Sequence, residues 1–134
     1  MASKTKTESI YLLVKDFPLL SRYRELFDIN EDEVAFPYDG KIYSNKELSP
    51  ELLAHETVHF QQQKDIGLDE WQEQYLTNPS FRVKMEIEAY KKQLTFYTAN
   101  KDVYDIGRTQ MAKVLSSPMY GNVITYKEAY GLLK

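Results

Sequence analysis

The sequence predicts an α+β protein, mostly helical, with a small antiparallel sheet or hairpin beside one distinctive helix. Three observations predict it. From Pro50 onward, apolar residues recur at helical spacing in segments divided by Gly67, Asn78-Pro79 and Ser117-Pro118. Asp39-Gly40 stands between two β-prone runs, Val34 to Tyr38 and Lys41 to Tyr43, which is a strong hairpin signal. Ile10 to Val14 is a short apolar run that reads as a buried strand, though a run so short also fits a helix.

The chain has 134 residues, 43% of them hydrophobic, enough for one domain over residues 1–134 with a real core. It holds no stretch of the length needed to cross a bilayer as a helix. Its first eight residues are polar, and Ile10 to Val14 is too short for a secretory signal, so a cytoplasmic location is expected. There is no cysteine, so a metal site would have to use imidazole, carboxylate and water. A net charge of −3 gives no electrostatic case for nucleic acid, and neither a nucleic-acid nor a membrane partner is expected.

Taken in order, Asp16-Phe17-Pro18 reads as a helix start, with Leu19, Leu20, Tyr23, Leu26 and Phe27 following at helical spacing. Asn30 to Glu33 is an acidic loop without the spacing of a calcium loop. Pro37 lacks the N–H a central strand needs, which confines its strand to an edge or a strand end. A long helix is expected over about Pro50–Asp65, with Ser49 as N-cap, Leu48, Leu52, Leu53 and Val58 as apolar support, and Gly67 as stop. Asp69 to Leu76 forms a short helix with Trp71, Tyr75 and Leu76 turned inward, Trp71 as core. Asn78-Pro79 opens a helix to about Ala99, and Asp102 to Ser116 forms another with Ile106, Met111, Val114 and Leu115 as its apolar side. Thr125-Tyr126-Lys127-Glu128 is a capping box for a last helix over Tyr126–Leu133.

The first long helix carries the only two histidines, His55 and His59, with Glu56 directly after the first. Residues i and i+4 share a helix face, so both imidazoles can aim a nitrogen at one point. Zn²⁺ accepts imidazole nitrogen at roughly 2.0–2.1 Å, and two ligands one turn apart can span a tetrahedral edge. Glu56 lies about 100° round the helix, within reach of a water bound at that point, whose proton a carboxylate can take. Gln62 and Gln63, three and four residues past His59, are placed to support it by hydrogen bonds, although an exposed helix surface accounts for at least one of them equally well.

With no third histidine, a third protein ligand must be a carboxylate. The helix after Pro79 offers Glu86 and Glu88. Val83, Ile87, Tyr90, Leu94 and Tyr97 form one side of its apolar stripe and Met85, Ala89 and Phe96 the other. Glu86 falls mid-stripe with Gln93 beside it. Glu88 falls with Lys84, Lys91 and Lys92 on the polar face, where i±4 ion pairs explain it. A carboxylate in an apolar face is costly unless paired or coordinated. Glu86 is therefore expected as the third ligand. A buried ion pair with Arg82 or Arg108 is the alternative for it, and a kinked helix that turned Glu88 inward is the alternative ligand.

The run Leu-Leu-Ala-His-Glu-x-Val-His, the glutamines after it, and Glu86-Ile87-Glu88-Ala89-Tyr90 resemble the gluzincin pattern of zinc metallopeptidases. In that pattern a glutamate on a second helix, with a small residue three positions on, completes the His-Glu-x-x-His site; Ala89 stands there relative to Glu86. The same combination is similar to small metallopeptidase-like proteins of tailed bacteriophages and bacteria, over about residues 34–100. The resemblance implies a minimal zincin-like fold and one Zn²⁺ per chain. It also implies hydrolysis of a peptide or protein substrate with Glu56 as general base, and a setting in host cytoplasm or virion. It implies an edge strand for extended substrate, to which Ile42 and Tyr43 correspond, unless the hairpin only covers the core. The chain lacks the further histidine that larger gluzincins carry for the oxyanion, and Tyr90 or Tyr120 is expected to substitute. Two other functions fit the same residues: a zinc-stabilised structural or interaction protein without turnover, and an amidase acting on peptidoglycan.

Overall fold

The computed structural model describes residues 9–134, and the expectation about the first eight lies outside them. The described residues form an α+β structure, mostly helical with a three-stranded mixed sheet. Contacts divide the chain into two compact units, one up to Glu47 and one from Leu48 to Lys134. No helix of the described residues is long and apolar enough to cross a membrane.

The first unit contains β1 (Tyr11–Leu12), α1 (Leu20–Leu26), β2 (Phe36–Tyr38) and β3 (Lys41–Tyr43), with a 3-10 turn at Val14–Asp16. The apolar run is thus a strand for only two residues before the chain turns, and Val14 N–H donates to Asn45 Oδ1 at 3.0 Å instead of extending the ladder. The hairpin forms as expected. Asp39 and Gly40 have φ of 53° and 77°, the paired positive values of a type I′ turn. Aromatic rings fill the small core, with Phe17 stacked on Phe36 at 4.3 Å and Tyr23 edge-on to Phe36 at 5.0 Å.

The strand order is β1-β3-β2, with β1 parallel and β2 antiparallel to β3. This corrects two expectations. The sheet is mixed and not purely antiparallel. Ile42 and Tyr43 lie on the central strand, not an edge. Ile42 N–H is already bonded to Ile10 O, its side chain is fully buried, and β3 has a partner on each side, so neither residue offers a free edge to substrate. Pro37 does sit on an edge strand, β2, as its missing N–H requires.

The second unit is a stack of helices: α2 (Pro50–Ile66), α3 (Leu68–Thr77), α4 (Pro79–Leu94), α5 (Lys101–Leu115) and α6 (Tyr126–Leu132), with 3-10 turns at Thr95–Tyr97 and Pro118–Tyr120. Local chemistry sets their ends. Gly67 ends α2 at φ 105°. Asn78 caps α4 through Phe81 N–H, Asn100 caps α5, and Thr125 and Glu128 make the reciprocal capping box of α6. Ser49 holds the N-cap position of α2 without a side-chain cap bond. The helix α4 stops at Leu94, short of Ala99, and Phe96 and Ile106 are exposed where their spacing suggested core.

The two ends of this unit differ in kind. Leu94, Met111, Ala112, Leu115, Ala129 and Leu133 make an apolar core among α4, α5 and α6. Where α2, α3 and α4 meet, the buried residues of α2 are His55, His59, Gln62 and Gln63, all polar. Arg82 of α4 ties this end together, donating to the carbonyls of Tyr75 (2.8 Å), Leu76 (3.2 Å) and Met119 (3.2 Å). The first two belong to the last turn of α3, whose carbonyls have no partner within the helix.

Two glycines test this packing. Gly121 has φ 79°, and a Cβ there would meet Pro79 Cβ at 2.6 Å; Gly131, inside α6, has nothing within 4 Å. Gly121→Ala is expected to lower stability by roughly 1–3 kcal/mol. Gly131→Ala should raise it by about 0.5–1 kcal/mol. Denaturant midpoints of the two variants check this, and a neutral Gly121→Ala contradicts the packing of the Tyr120 turn against α4.

Candidate metal centre

The centre is assembled from α2 and α4. His55 and His59, one turn apart, both present Nε2 to Glu86 Oε1, at 2.9 and 3.0 Å. All three residues are buried, and their ligand atoms lie within 4.8 Å of one another, the group among the described residues able to hold a metal ion. The helical phase that placed Glu86 inward and Glu88 outward agrees with the structure: Glu86 is 6% exposed and Glu88 is on the exposed face. Arg82 is spent on backbone carbonyls, and Arg108 donates to Tyr130 O and stacks over that ring. The groups on Glu86 are the two imidazoles and Tyr75, whose hydroxyl donates to Oε2 at 2.5 Å.

Behind each imidazole stands a glutamine. Gln62 Oε1 is 2.8 Å from His59 Nδ1, and Gln93 Oε1 is 3.0 Å from His55 Nδ1. The orientation of Gln62 is forced. Its oxygen also receives the Trp71 indole N–H at 3.1 Å, a group that only donates, and its nitrogen donates to Met85 O at 3.1 Å and to Glu88 Oε1 at 2.6 Å, which only accept. Gln93 is held more simply, with its nitrogen donating to the Tyr97 hydroxyl at 3.0 Å. Facing the locked Gln62 oxygen, His59 Nδ1 must carry hydrogen, and His55 Nδ1 carries it with the Gln93 oxygen turned to it. In a neutral imidazole, Nε2 then carries a lone pair. Two lone pairs and a carboxylate oxygen converge on one place, an arrangement that requires positive charge there.

Without a metal, protons supply it. Burial pushes the pKa of His59 down, but the Glu86 carboxylate overrides this and raises it to about 9. His55 is raised too, burial again opposed by its bond to Glu86. Burial pushes Glu86 up, yet His59 and the two hydrogen bonds hold it well below the usual carboxylate range. A divalent cation would replace both protons. The donor set suits zinc: two imidazole nitrogens and one carboxylate oxygen, with Nε2–Oε1 separations near the roughly 3.3 Å edge of a tetrahedron with 2.0 Å bonds.

Glu56 stands beside this group and interacts electrostatically with all three of its members. Burial raises its pKa, against the lowering effect of His55 and His59. Its Oε1 is shielded from solvent and has no hydrogen-bond partner among the described residues. The Tyr90 ring lies 4.7 Å from His55, edge to face. Burial, with the Glu86 charge behind it, raises the pKa values of Tyr90 and Tyr120, and of the three phenols Tyr75 is the one that donates to Glu86. Ile42 and Tyr43 are not part of this group. Sequence reasoning missed Tyr75 and the polar role of Trp71. Their four-residue spacing on α3 was visible, but apolar packing explained it without a site. It also assigned Glu88 to lysine pairing, whereas Glu88 holds Gln62 in place.

Compared with protein-family models, curated proteins and solved structures, the chain matches none.

The charged cluster gives the metal-free chain a pH signature. The stabilisation from His59, whose pKa is raised on folding, is fully present below its unfolded value and lost as pH rises through about 9. The raised pKa values of His55 and Glu56 act in the same direction. Glu86, lowered on folding, contributes above its unfolded value and loses that contribution as pH falls through its folded one. Chelator-treated protein should therefore lose thermal stability between pH 6.5 and pH 9.5, and His59→Gln should flatten that loss. Melting curves across the range check it, and a rise over the same interval contradicts the assignment.

Proposed function

We propose that this chain is a zinc-dependent hydrolase of peptide bonds with a minimal zincin-like site, in which His55, His59 and Glu86 hold one Zn²⁺ and Glu56 is the general base. The observation that carries the reading is Glu56 Oε1, a buried carboxylate oxygen without a partner, directly after one histidine and electrostatically coupled to all three proposed ligands. Leaving such an oxygen unsatisfied costs stability. A site that only stores a metal needs the histidines and Glu86, not this oxygen.

Bound zinc would polarise the scissile carbonyl and acidify the attacking water. The protein's own part follows from the hydrogen bonds. Gln62 and Gln93 hold the imidazoles with Nε2 forward. Glu56 accepts a proton at Oε1 and returns it to the leaving amine, and its raised pKa brings it closer to the neutral range in which both transfers occur. Tyr90, whose ring lies 4.7 Å from His55, is the proposed donor of its hydroxyl hydrogen to the developing oxyanion. The partner is a peptide or protein, and a host cytoplasm or virion fits the bacteriophage-like pattern of the sequence.

A second reading, a zinc site without turnover, is favoured by the depth of the ligands: His59 is 2% exposed and Glu86 6%. Glu56→Gln separates the two. It should retain one equivalent of zinc and the fold while turnover falls by about 10²–10⁴. Metal analysis and a peptide-library cleavage assay on wild type and variant provide the check. A fully active variant contradicts the general-base role, and zinc-loaded wild type that cleaves nothing supports the non-catalytic reading.

A further inference from the structure

We propose that Trp71 and Tyr75 of α3 form a positioning clamp for the centre, with Tyr75 restricting Glu86 to a single coordinating oxygen. The inference rests on the metal reading above and adds residues that supply no ligand.

Trp71 and Tyr75 stand one turn apart, and their rings stack at 4.8 Å and 16°. Both are buried. Each carries one polar group, and each of those groups reaches the centre from behind. The indole N–H donates to Gln62 Oε1, which in turn receives His59 Nδ1–H. A donor-only group on that oxygen, together with Met85 and Glu88 on the nitrogen, excludes the flipped amide, so Trp71 helps set the tautomer of His59 through Gln62. The Tyr75 hydroxyl donates to Glu86 Oε2, while Oε1 faces both Nε2 atoms.

Coordination chemistry makes the second contact consequential. A carboxylate with both oxygens available can chelate a metal through the pair, raising its coordination number and occupying a position that water or substrate needs. With Oε2 held by Tyr75, only Oε1 is presented. The phenol is itself constrained: Arg82 donates to the Tyr75 carbonyl at 2.8 Å, and the guanidinium lies 5.6 Å from its ring. Phenylalanine would fill the same space but could not hold the oxygen. The hydroxyl therefore has a role separate from packing.

The test uses the full chain as wild type, Tyr75→Phe and Trp71→Phe, titrated with Zn²⁺ against a chromophoric chelator and with Co²⁺ followed by visible absorption. Tyr75→Phe should lose about tenfold or more in zinc affinity, and its cobalt bands should weaken as coordination number rises. Trp71→Phe should lose zinc affinity by a similar factor with cobalt band intensity unchanged. In Tyr75→Phe, a purely structural role would lower the unfolding midpoint and leave the cobalt spectrum of the folded protein as in wild type, which overturns the clamp. Folded Tyr75→Phe with wild-type affinity and spectrum overturns it as well, and leaves the metal reading standing. If Tyr75→Phe does not fold, an unchanged zinc affinity in Trp71→Phe overturns it. Wild type that takes up neither ion overturns the metal reading, and the clamp with it.

Discussion

Gln62 sits among groups that allow it one orientation. Trp71 and His59 offer hydrogens to its oxygen, and Met85 and Glu88 take hydrogens from its nitrogen. Everything at the centre depends on this. With Nδ1–H of His59 committed to an oxygen, Nε2 is the atom left to face Glu86, and Gln93 likewise turns its oxygen to His55 Nδ1. At His59 the geometry is fixed by groups that cannot exchange donor for acceptor, not by the histidine itself. A carboxylate oxygen about 3 Å from two such nitrogens is stable only with positive charge between them.

The same constraint explains how α2 is held. Its buried residues are two histidines and two glutamines, so apolar burial does not secure that face. A polar face inside a helical stack is tolerated when its members are satisfied, and costly when one is not. Here satisfaction runs across three helices: α2 gives the imidazoles, α4 gives Glu86 and Gln93, and α3 gives Trp71 and Tyr75. The apolar core among α4, α5 and α6 lies at the other end, which leaves the polar end free to be specified by chemistry. Two oxygens on α2, Glu56 Oε1 and Gln63 Oε1, are buried without a hydrogen-bond partner among the described residues, and Glu56 is the one directly beside a ligand histidine.

Much of this was legible in the sequence because it is local. The i, i+4 histidines, the phase that put Glu86 inward, the caps at Asn78 and Thr125, and the Asp39-Gly40 turn each depend on a few neighbouring residues. What escaped is non-local. Pro37 showed that one strand is an edge but not that β1 would pair with β3 and close the side where Ile42 and Tyr43 were expected to be open. Tyr75 and Trp71 looked like core because aromatic residues at helical spacing are core, and both are buried. Their polar atoms acquire a role only when α3 is laid against α2 and α4. Phe96 and Ile106 erred the other way, since periodicity says which side of a helix is apolar and not how far a neighbour covers it.

The central claim is that both imidazoles keep hydrogen on Nδ1 and offer Nε2 to a cation. Long-range ¹H–¹⁵N correlation spectra of the two histidines, before and after one equivalent of Zn²⁺, test it most directly, and two histidines leave little ambiguity of assignment. The account predicts protonated Nδ1 on both rings in both states, with Nε2 changing from protonated to metal-bound nitrogen as zinc is added. Zinc-loaded protein with hydrogen on Nε2 of either ring, or spectra that zinc leaves unchanged, would contradict it.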